Sequence, residues 1–467
     1  MTEPSASLRS ESDCLGSVRI ASDALYGVNT VRGVDNLTVS RSPIGSEHEF
    51  VRAFALCKWA AALANRDLGV LDEARCEAIV QACRELVDGR HDAFLVVDFL
   101  EGSGGTSSNM NVNEVVANRA QQLLGGRPGA YDRVHPNDHV NRSQSTNDVY
   151  PAAMKIAAHA LLAPLIDEVR ALSASLLRKA DEFGDLLHLG RTCLQDAQPM
   201  MLGQVFGGYA ALAARAGEEL ERVRAALRVL PLGGTAIGTG FGAPRGYKAR
   251  VYAHLARISG VEFRPADNAF DAMQNLDTFA RVSAELRTCA GALAKVASDL
   301  ILLSSGPNGG IAELELPAVQ PGSSIMPGKI NPVVPMSMVQ IGFAVAGNDV
   351  CVAQAHQAGQ LEINHFEPVV AGRLYDSIHL LRNGVRLLRE KCIDGIRADA
   401  ARNEQHLLDS TAIATALVPR LGYAQVSAMV REAAAQNRRL LDVLHERKLL
   451  DRAEAIRLTR EATAIDG

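Results

Sequence analysis

The run from Leu276 to Leu303, LDTFARVSAELRTCAGALAKVASDLILL, decides the fold of this chain. Apolar side chains recur along it at spacings of three and four, which is the period of one face of an α-helix. These positions are Leu276, Phe279, Val282, Leu286, Cys289, Leu293, Val296, Leu300 and Leu303. No proline interrupts the run, so we expect one helix of about 28 residues and about 42 Å. A seam of this length needs partner helices along all of it, which predicts a bundle of long helices.

The composition also favours helices. The chain has 467 residues, of which 47% are apolar and only 4% aromatic. Helix-on-helix packing suits this composition better than sheets, and the length exceeds that of one ordinary core. We expect a mainly α protein with three domains: a mostly helical N-terminal domain at residues 1–148, a central bundle at 149–396 and a small helical domain at 397–467. The first 20 or so residues are polar, and we expect them to be loose.

Charge and cysteine usage limit the partners and the compartment. The net charge is −5 and no basic block occurs, which disfavours nucleic acid and anionic membranes as partners. The eight cysteines are scattered and form no C-x-x-C pair, as expected for a reduced cytoplasmic protein whose cysteines are mostly buried. The N-terminus has no signal-peptide pattern. The sequence also has no apolar run of 18 or more residues, so we expect no transmembrane helix.

Four polar segments are candidates for a binding site. They are Thr106–Asn109, Ser145–Asn147, Thr192–Gln195 and Ser323–Asn331. We expect all four to be loops beside helices, the first leading into a helix at Asn113 to Leu124 and the second supplying an N-cap. Their hydroxyls and amides, with helix N-termini and Lys329, suit a small polyanion. Since they hold no conventional base, a serine would have to act as one, its alkoxide stabilised by nearby donors.

Phosphate-loop and metal sites are disfavoured. Gly322 to Lys329 has one residue too many for a phosphate loop, and Ile330 stands where Ser or Thr is needed. His135 and His139 lie four residues apart, but Pro136 between them argues against a helical metal pair. We therefore expect the two histidines to form hydrogen bonds in a loop, and we expect neither a metal nor a cofactor.

The segment Gly322 to Pro332, GSSIMPGKINP, resembles the signature of the fumarase/aspartase superfamily almost without change. The resemblance covers nearly the whole chain, from the loop Tyr26–Thr30 to beyond Leu381. Within that superfamily, Phe366-Glu367-Pro368 and the stretch Gly359–Asn364 resemble the aspartate ammonia-lyase branch. Fumarases tend to have Arg before that proline.

The resemblance implies a fold, an assembly and a reaction. The central domain would be a five-helix bundle, and four copies would form a homotetramer with a twenty-helix core. Each active site would be shared by three subunits. The substrate would be a small C4 dicarboxylate, aspartate or a close relative, which loses its amine to leave fumarate.

The resemblance also assigns roles to residues. Ser323 would be the base that removes the Cβ proton. The resulting carbanion would be held as an aci-carboxylate by donors from Thr106, Ser145, Thr146 and Ser324. Lys329 and Asn331 would bind the other carboxylate, while Asn147 and Thr192 would hold the leaving amine. Donors placed where charge develops in the transition state are the main source of catalysis in such a scheme.

The chain departs from the superfamily pattern beside the expected substrate. Cys193 stands where His or Gln is usual, and Met336 stands where Glu is usual; in many members these positions form a His–Glu pair. Losing both partners leaves a consistent, more apolar wall, whereas losing one would strand a buried charge. We expect Cys193 to be a small packing residue, with a nucleophile as the sharper alternative. Other departures are Val205, Gly242 and Asn308.

Because of these departures, the candidate substrates extend beyond aspartate, and two alternative functions remain open. We expect the anion-binding loops and the serine chemistry to persist, while the pocket beside the leaving group has changed. An N-substituted or otherwise modified aspartate, or another C4 diacid, would then be the substrate. A fumarate hydratase is the enzymatic alternative, and the Glu367-Pro368 motif disfavours it. A non-catalytic structural or regulatory member of the superfamily is the other, which the intact signature segment disfavours.

Overall fold

The computed structural model describes residues 7–463 and is mainly helical, as predicted. Its helices are α1 (Val28–Leu37), α2 (His48–Asp67), α3 (Glu73–Val87), α4 (Thr106–Leu123), α5 (Thr146–Glu182), α6 (Leu202–Ala226), α7 (Tyr247–Ser259), α8 (Ala269–Gln274), α9 (Asp277–Leu303), α10 (Val333–Gln357), α11 (Glu367–Lys391), α12 (Ala400–Asp409), α13 (Ala414–Leu421), α14 (Tyr423–Ala435), α15 (Leu440–Glu446) and α16 (Arg452–Thr463). Its strands are β1 (Leu8–Asp13), β2 (Gly16–Ala21), β3 (Leu187–Thr192), β4 (Gln195–Met201), β5 (Val229–Leu230), β6 (Arg264–Pro265), β7 (Leu314–Glu315) and β8 (Arg397–Ala398). The strands pair two by two, β1 with β2, β3 with β4, β5 with β6 and β7 with β8.

Helix α9 confirms the seam from which the bundle was predicted. It begins one residue later than expected, and each of the nine seam positions is exposed by 9% or less. Between residues 7 and 463, five helices have 25 residues or more, namely α5, α6, α9, α10 and α11. That number agrees with the five-helix bundle that the resemblance implies. Helix α5 continues through Pro151 and Pro164 over 37 residues.

The described residues fall into two compact units. One comprises residues 7–166, 219–287 and 344–380, and the other comprises 167–218, 288–343 and 381–463. The first unit contains a cluster of aromatic rings, in which the centroid of Phe50 lies 4.9 to 5.8 Å from those of Phe54, Phe99, Tyr150 and Tyr375. In the second, helices α12–α16 share a buried apolar cluster with strand β3. The division into three domains stays a prediction.

The N-terminal segment is ordered, so the expectation of a loose start is wrong for residues 8–21. Strands β1 and β2 form an antiparallel hairpin. The guanidinium of Arg9 donates to the carbonyl oxygens of Ala21, Ala24 and Tyr26 at 2.6 to 2.7 Å. These bonds join residues 12 to 17 positions apart in the chain, so local polarity gives no sign of them.

Helix α4 begins at Thr106, seven residues before the predicted start at Asn113. Gly105 adopts a left-handed conformation with φ of 90°, which residues with a Cβ rarely tolerate. The Ser103 hydroxyl accepts a hydrogen bond from the Ser107 amide at 2.8 Å, like an N-cap. The segment Thr106–Asn109 is therefore the first turn of a helix. The glycine- and serine-rich composition around it led to the incorrect prediction that the loop continues to Asn113.

Within residues 7–463, two helices are long and apolar enough to cross a membrane by length and composition alone, α5 and α10. The apolar window of α5 is 83% buried within the protein, as in a core helix. The apolar window of α10 is only 22% buried. Helix α10 therefore presents an apolar surface that the single chain does not cover.

Candidate active site

The N-terminus of α5 organises three of the predicted binding residues. Asp148 accepts a hydrogen bond from the Ser145 amide at 2.9 Å, and the Asn147 amide donates to the Ser145 hydroxyl at 3.3 Å. This reciprocal arrangement resembles a capping box and confirms the N-cap predicted here. The Asn147 side-chain amide donates to the carbonyl oxygen of Ala236 at 2.8 Å. Ser145, Thr146 and Asn147 thus hold fixed positions at a helix N-terminus, where negative charge is favoured.

Asp148 supports this helix start from inside the protein. Its carboxylate is fully buried and also accepts from the amides of Gly233 and Thr235, at 2.8 and 3.1 Å. Burial raises the pKa of Asp148 to about 6, although the three backbone N–H groups act in the opposite direction. The carboxylate therefore ties the loop at residues 233–235 to the start of α5.

Replacing Asp148→Ala should lower the free energy of unfolding by about 3 kcal/mol, because buried N–H groups lose their acceptor. Chemical denaturation with circular dichroism measures this loss. Asp138→Ala is the matched control, since the Asp138 side chain is 76% exposed, and it should change stability by less than about 0.5 kcal/mol. Equal stability of the two variants would contradict the anchoring role.

A second helix reaches Thr146. Asn109 on α4 is buried, and its side-chain amide donates to the Thr146 hydroxyl at 3.1 Å. Thr106 opens the same helix and is exposed. The starts of α4 and α5 therefore each present a predicted substrate-binding threonine.

Lys58 contacts this group and is not among the residues predicted from the sequence. It lies within α2, is fully buried, and donates to the side-chain oxygen of Asn109 at 2.7 Å. A signal was available, because Lys58 is the single charged residue in the otherwise apolar run from Ala53 to Ala64. Lysine is rarely buried completely without a partner.

Thr192 and Cys193 lie at the tip of a β-hairpin, which corrects the expectation that this segment flanks a helix. Thr192 pairs with Gln195, while Cys193 and Leu194 form the turn with φ of 52° and 60°. Positive φ at both central residues matches the twist of a two-residue hairpin. Thr192 and Cys193 are both exposed in the single chain, and the packing role expected for Cys193 stays a prediction.

The hairpin is anchored by a buried ion pair. Arg191 donates to both oxygens of Glu313 at 2.9 and 2.6 Å, and His406 contacts the same carboxylate at 2.7 Å. Burial by itself would raise the pKa of Glu313, but the bonds from Arg191 and His406 outweigh it and lower that pKa. A bidentate pair of this kind restricts orientation, so it fixes the backbone directly before Thr192.

The signature segment is a loop, as predicted, and its own hydrogen bonds close it. The Gly322 amide donates to the carbonyl oxygen of Lys329 at 2.8 Å, and the Asn331 side chain donates to the carbonyl oxygen of Gly322 at 2.8 Å. A Cβ at position 322 would lie 2.7 Å from the Lys329 oxygen, so only glycine fits this closure. Lys329 and Ser324 are exposed, and both can reach a ligand.

Within that loop the Ser323 hydroxyl oxygen has two backbone donors. It accepts from the amides of Ile325 and Met326 at 3.2 and 3.1 Å. Two N–H groups aimed at one oxygen stabilise negative charge on it. Ser323 therefore has the surroundings that a serine base requires. Met336 follows in the first turn of α10 and is 43% exposed.

The two histidines form hydrogen bonds, as predicted. The His135 amide donates to the ring nitrogen Nδ1 of His139 at 2.8 Å. The Nδ1 atom of His135 accepts from the amides of Asn137 and Asp138 at 3.2 and 3.3 Å. In residues 7–463, no group of three or more His, Cys, Asp or Glu side chains could hold a metal ion.

Comparison with known families identifies the fold and the site segments together. The family model described as "Lyase" matches residues 16–347, and the model described as "Fumarase C C-terminus" matches residues 413–462. The first match includes every residue predicted for the site.

Individual relatives match over nearly their whole length. The aspartate ammonia-lyase of Helicobacter pylori is 42% identical over 447 residues, which cover 96% of this chain and 96% of that one. The fumarate lyase:delta crystallin of Brucella melitensis, solved with cobalt bound, has a TM-score of 0.95 at 42% identity, covering 98% and 100% of the two chains. The class II fumarase of Schistosoma mansoni has a TM-score of 0.92 at 32% identity, covering 98% and 99%. The chain therefore belongs to the fumarase/aspartase superfamily, and over nearly its whole length it is similar to aspartate ammonia-lyases.

Proposed function

We propose that the protein is a carbon–nitrogen lyase that eliminates the amine from L-aspartate, or from a closely related aspartate such as an N-substituted one, to give fumarate. The observation that carries the proposal is the Ser323 hydroxyl with its two backbone donors in an intact signature loop. The similarity to aspartate ammonia-lyases supports the choice of aspartate.

The reaction begins with removal of the Cβ proton by Ser323. The amides of Ile325 and Met326 stabilise the alkoxide that acts as the base. Charge then develops on the carboxylate next to the carbanion, where it is met by donors from Thr106, Ser145, Thr146 and Ser324. Thr106 and Thr146 each open a helix, and a helix N-terminus favours an anion.

The remaining roles concern binding and departure. Lys329 supplies positive charge to the second carboxylate, and Asn331 donates to it. Asn147 and Thr192 hold the amine. Ammonia, or a substituted amine, then leaves and fumarate remains.

One assay separates this proposal from the alternatives. The protein is incubated with L-aspartate, with L-malate, and with fumarate plus assorted amines, and fumarate absorbance is followed. Fumarate from aspartate supports the proposal. Fumarate from malate and never from aspartate would establish a fumarate hydratase, the activity named for the Schistosoma relative. Inactivity with every substrate in a folded protein would favour a non-catalytic role.

The pocket beside the leaving group can be tested by restoring the usual pair. The double change Cys193→His and Met336→Glu should shift kcat/KM towards unsubstituted aspartate by about tenfold relative to N-substituted aspartates, because the pair offers polar contacts to a small amine. Steady-state kinetics with matched substrates measure the ratio. Each single change should perform worse than the double change, since it leaves one partner unpaired. An unchanged ratio in the double variant would refute the altered pocket.

A homotetramer with active sites shared by three subunits completes the proposal. Met336, Phe343 and Val350 recur every seven residues on α10 and are 43%, 73% and 62% exposed. Asp349 is the one Asp, Glu, Lys or Arg residue of this helix, and it is bonded to Ser283 and Arg287 within the chain. An uncharged, exposed seam with a seven-residue period is typical of helices that pack against another chain.

The domain boundaries and the compartment belong to the same proposal. We retain domains at residues 1–148, 149–396 and 397–467; the C-terminal helices pack around one buried apolar cluster, which strand β3 of the central domain also joins. A cytoplasmic location is supported by the eight free cysteines, of which five are buried. Coverage of α10 by other subunits accounts for its exposed apolar surface without a membrane.

A further inference from the structure

Lys58 is a fully buried cation that the proposed mechanism does not use. Its Nζ donates to the side-chain oxygens of two asparagines, Asn109 at 2.7 Å and Asn141 at 3.0 Å. A buried lysine is costly, because leaving water disfavours its charge. Two amide oxygens satisfy its donors only in part, so the residue needs an explanation beyond packing.

Lys58 determines the orientation of the Asn109 amide. A lysine ammonium has three donors and no acceptor, and the Asn109 atom that lies 2.7 Å from Lys58 Nζ is the side-chain oxygen. The amide nitrogen then points the other way and donates to Asn141 at 3.2 Å and to the Thr146 hydroxyl at 3.1 Å. Both hydrogens of the Asn109 amide are thereby used.

The direction of the Thr146 hydroxyl follows from this orientation. Its oxygen accepts from Asn109, so its own hydrogen is free to be donated elsewhere. Among residues 7–463 the hydroxyl donates to no other group, and Thr146 is 8% exposed. That hydrogen is therefore available to a ligand at the start of α5.

The charged groups around Lys58 leave its ammonium group only partly compensated. Burial lowers the pKa of Lys58 to about 7, and Asp148 opposes this change. Cys57 and Cys83 interact electrostatically with Lys58, but burial raises the pKa values of both thiols, so they stay uncharged at neutral pH. Among residues 7–463, Asp148 is the carboxylate that offsets Lys58, and a bound dianion would be a second source of compensation.

We propose that Lys58 is a positioning residue of the dicarboxylate site: it fixes the Asn109 amide so that the Thr146 hydroxyl donates to the substrate carboxylate. This inference rests on the proposed function, which places a carboxylate at Thr146. Lys58 acts through Asn109 and does not touch the substrate.

A double-mutant cycle between Lys58 and Thr146 tests the proposal. Lys58→Met should lower kcat/KM for aspartate by about 30-fold, and Thr146→Val by about 100-fold, since each removes or misdirects one donor to the developing charge. The double variant should be less than about threefold worse than Thr146→Val, because the two residues act through one hydrogen bond. Losses that multiply, or a Lys58→Met enzyme of wild-type activity, would overturn the proposal.

A second buried lysine provides the matched control. Lys155 is 6% exposed, and its Nζ donates to the carbonyl oxygen of Val229 at 2.9 Å. Lys155→Met removes a buried amine from a helix, as Lys58→Met does, and makes the same change in side-chain charge and size. Its effect on kcat/KM should multiply with that of Thr146→Val, as expected for independent sites. If the Lys155 and Lys58 variants behave alike in the cycle, the effect of Lys58 is general destabilisation and the proposal fails.

Two further measurements apply if the Lys58 variant does not fold or if the wild-type protein is inactive with aspartate. If Lys58→Met does not fold, Asn109→Ala replaces it in the cycle and should show the same non-additivity with Thr146→Val. If the wild-type protein releases no fumarate from aspartate, the proposed function fails, and the cycle is measured on the Kd of succinate by calorimetry. A wild-type protein that neither turns over aspartate nor binds succinate would overturn both proposals.

Discussion

Replacing Ser323→Ala should lower kcat for aspartate by at least about 1000-fold, because the substitution removes the base and the oxygen on which the two backbone donors act. The change should lower the free energy of unfolding by at most about 2 kcal/mol. The hydroxyl belongs to a partly exposed loop and makes two hydrogen bonds, worth about 1 kcal/mol each. Calorimetry and steady-state kinetics on the same preparation measure both quantities.

Two serine variants provide the scale for this result. Ser298→Ala removes an exposed hydroxyl that donates to the Ala294 carbonyl oxygen within α9, and it should leave kcat within about twofold. Ser324→Ala removes one proposed donor and keeps the base, so a loss of about 100-fold is expected. A Ser323→Ala enzyme with wild-type kcat would refute Ser323 as the base. If Ser298→Ala lowered kcat as much as Ser323→Ala does, the loss would reflect damaged protein and not the removal of the base.

Replacing Phe343→Arg together with Val350→Arg should dissociate the assembly and reduce activity by at least about 100-fold. Both side chains are mostly exposed in the single chain, at 73% and 62%. The substitutions therefore leave the fold of the chain intact, but they would bury two unpaired charges in a subunit interface, which costs several kcal/mol per ion. Light scattering measures the mass, circular dichroism measures the helix content, and the fumarate assay measures activity.

A control outside α10 separates assembly from surface charge. Leu15 lies at the tip of the β1–β2 hairpin and is 75% exposed, so Leu15→Arg should change neither mass nor activity. A double arginine variant that remains a tetramer would show that the α10 seam is not the interface. A dissociated variant with full activity would show that each chain carries a complete site.

The seam of α9 could be predicted from sequence because its determinants are local. Apolar spacing of three and four places all nine side chains on one face, and all nine are buried. The N-cap at Ser145 could be predicted for the same reason, since residues 145–148 satisfy one another. The closure of the signature loop depends on Gly322 and Asn331, which lie only nine residues apart.

Other features could not be predicted in this way, because their contacts are distant in the chain or because the local composition fits two structures. The N-terminal hairpin is held by Arg9 and by backbone pairing between β1 and β2. Its polar composition gives no strand pattern from which this pairing could be predicted. The early start of α4 depends on Gly105 and Ser103, whose composition also suits a loop. The tight turn that exposes Cys193 in the single chain was not predicted either, because the polar segment also suits a loop beside a helix.

The amino-acid sequence alone determined the helical class, the seam of α9 and the segments that carry the proposed chemistry, because these depend on spacing over a few residues. Only the tertiary structure revealed the two donors on the Ser323 oxygen, the buried Lys58 and the uncovered seam of α10. Lys58 meets Asn109 and Asn141 across 51 and 83 positions of chain. Such contacts exist only after the helices pack, since burial and hydrogen-bond geometry are properties of the folded chain and not of its local pattern.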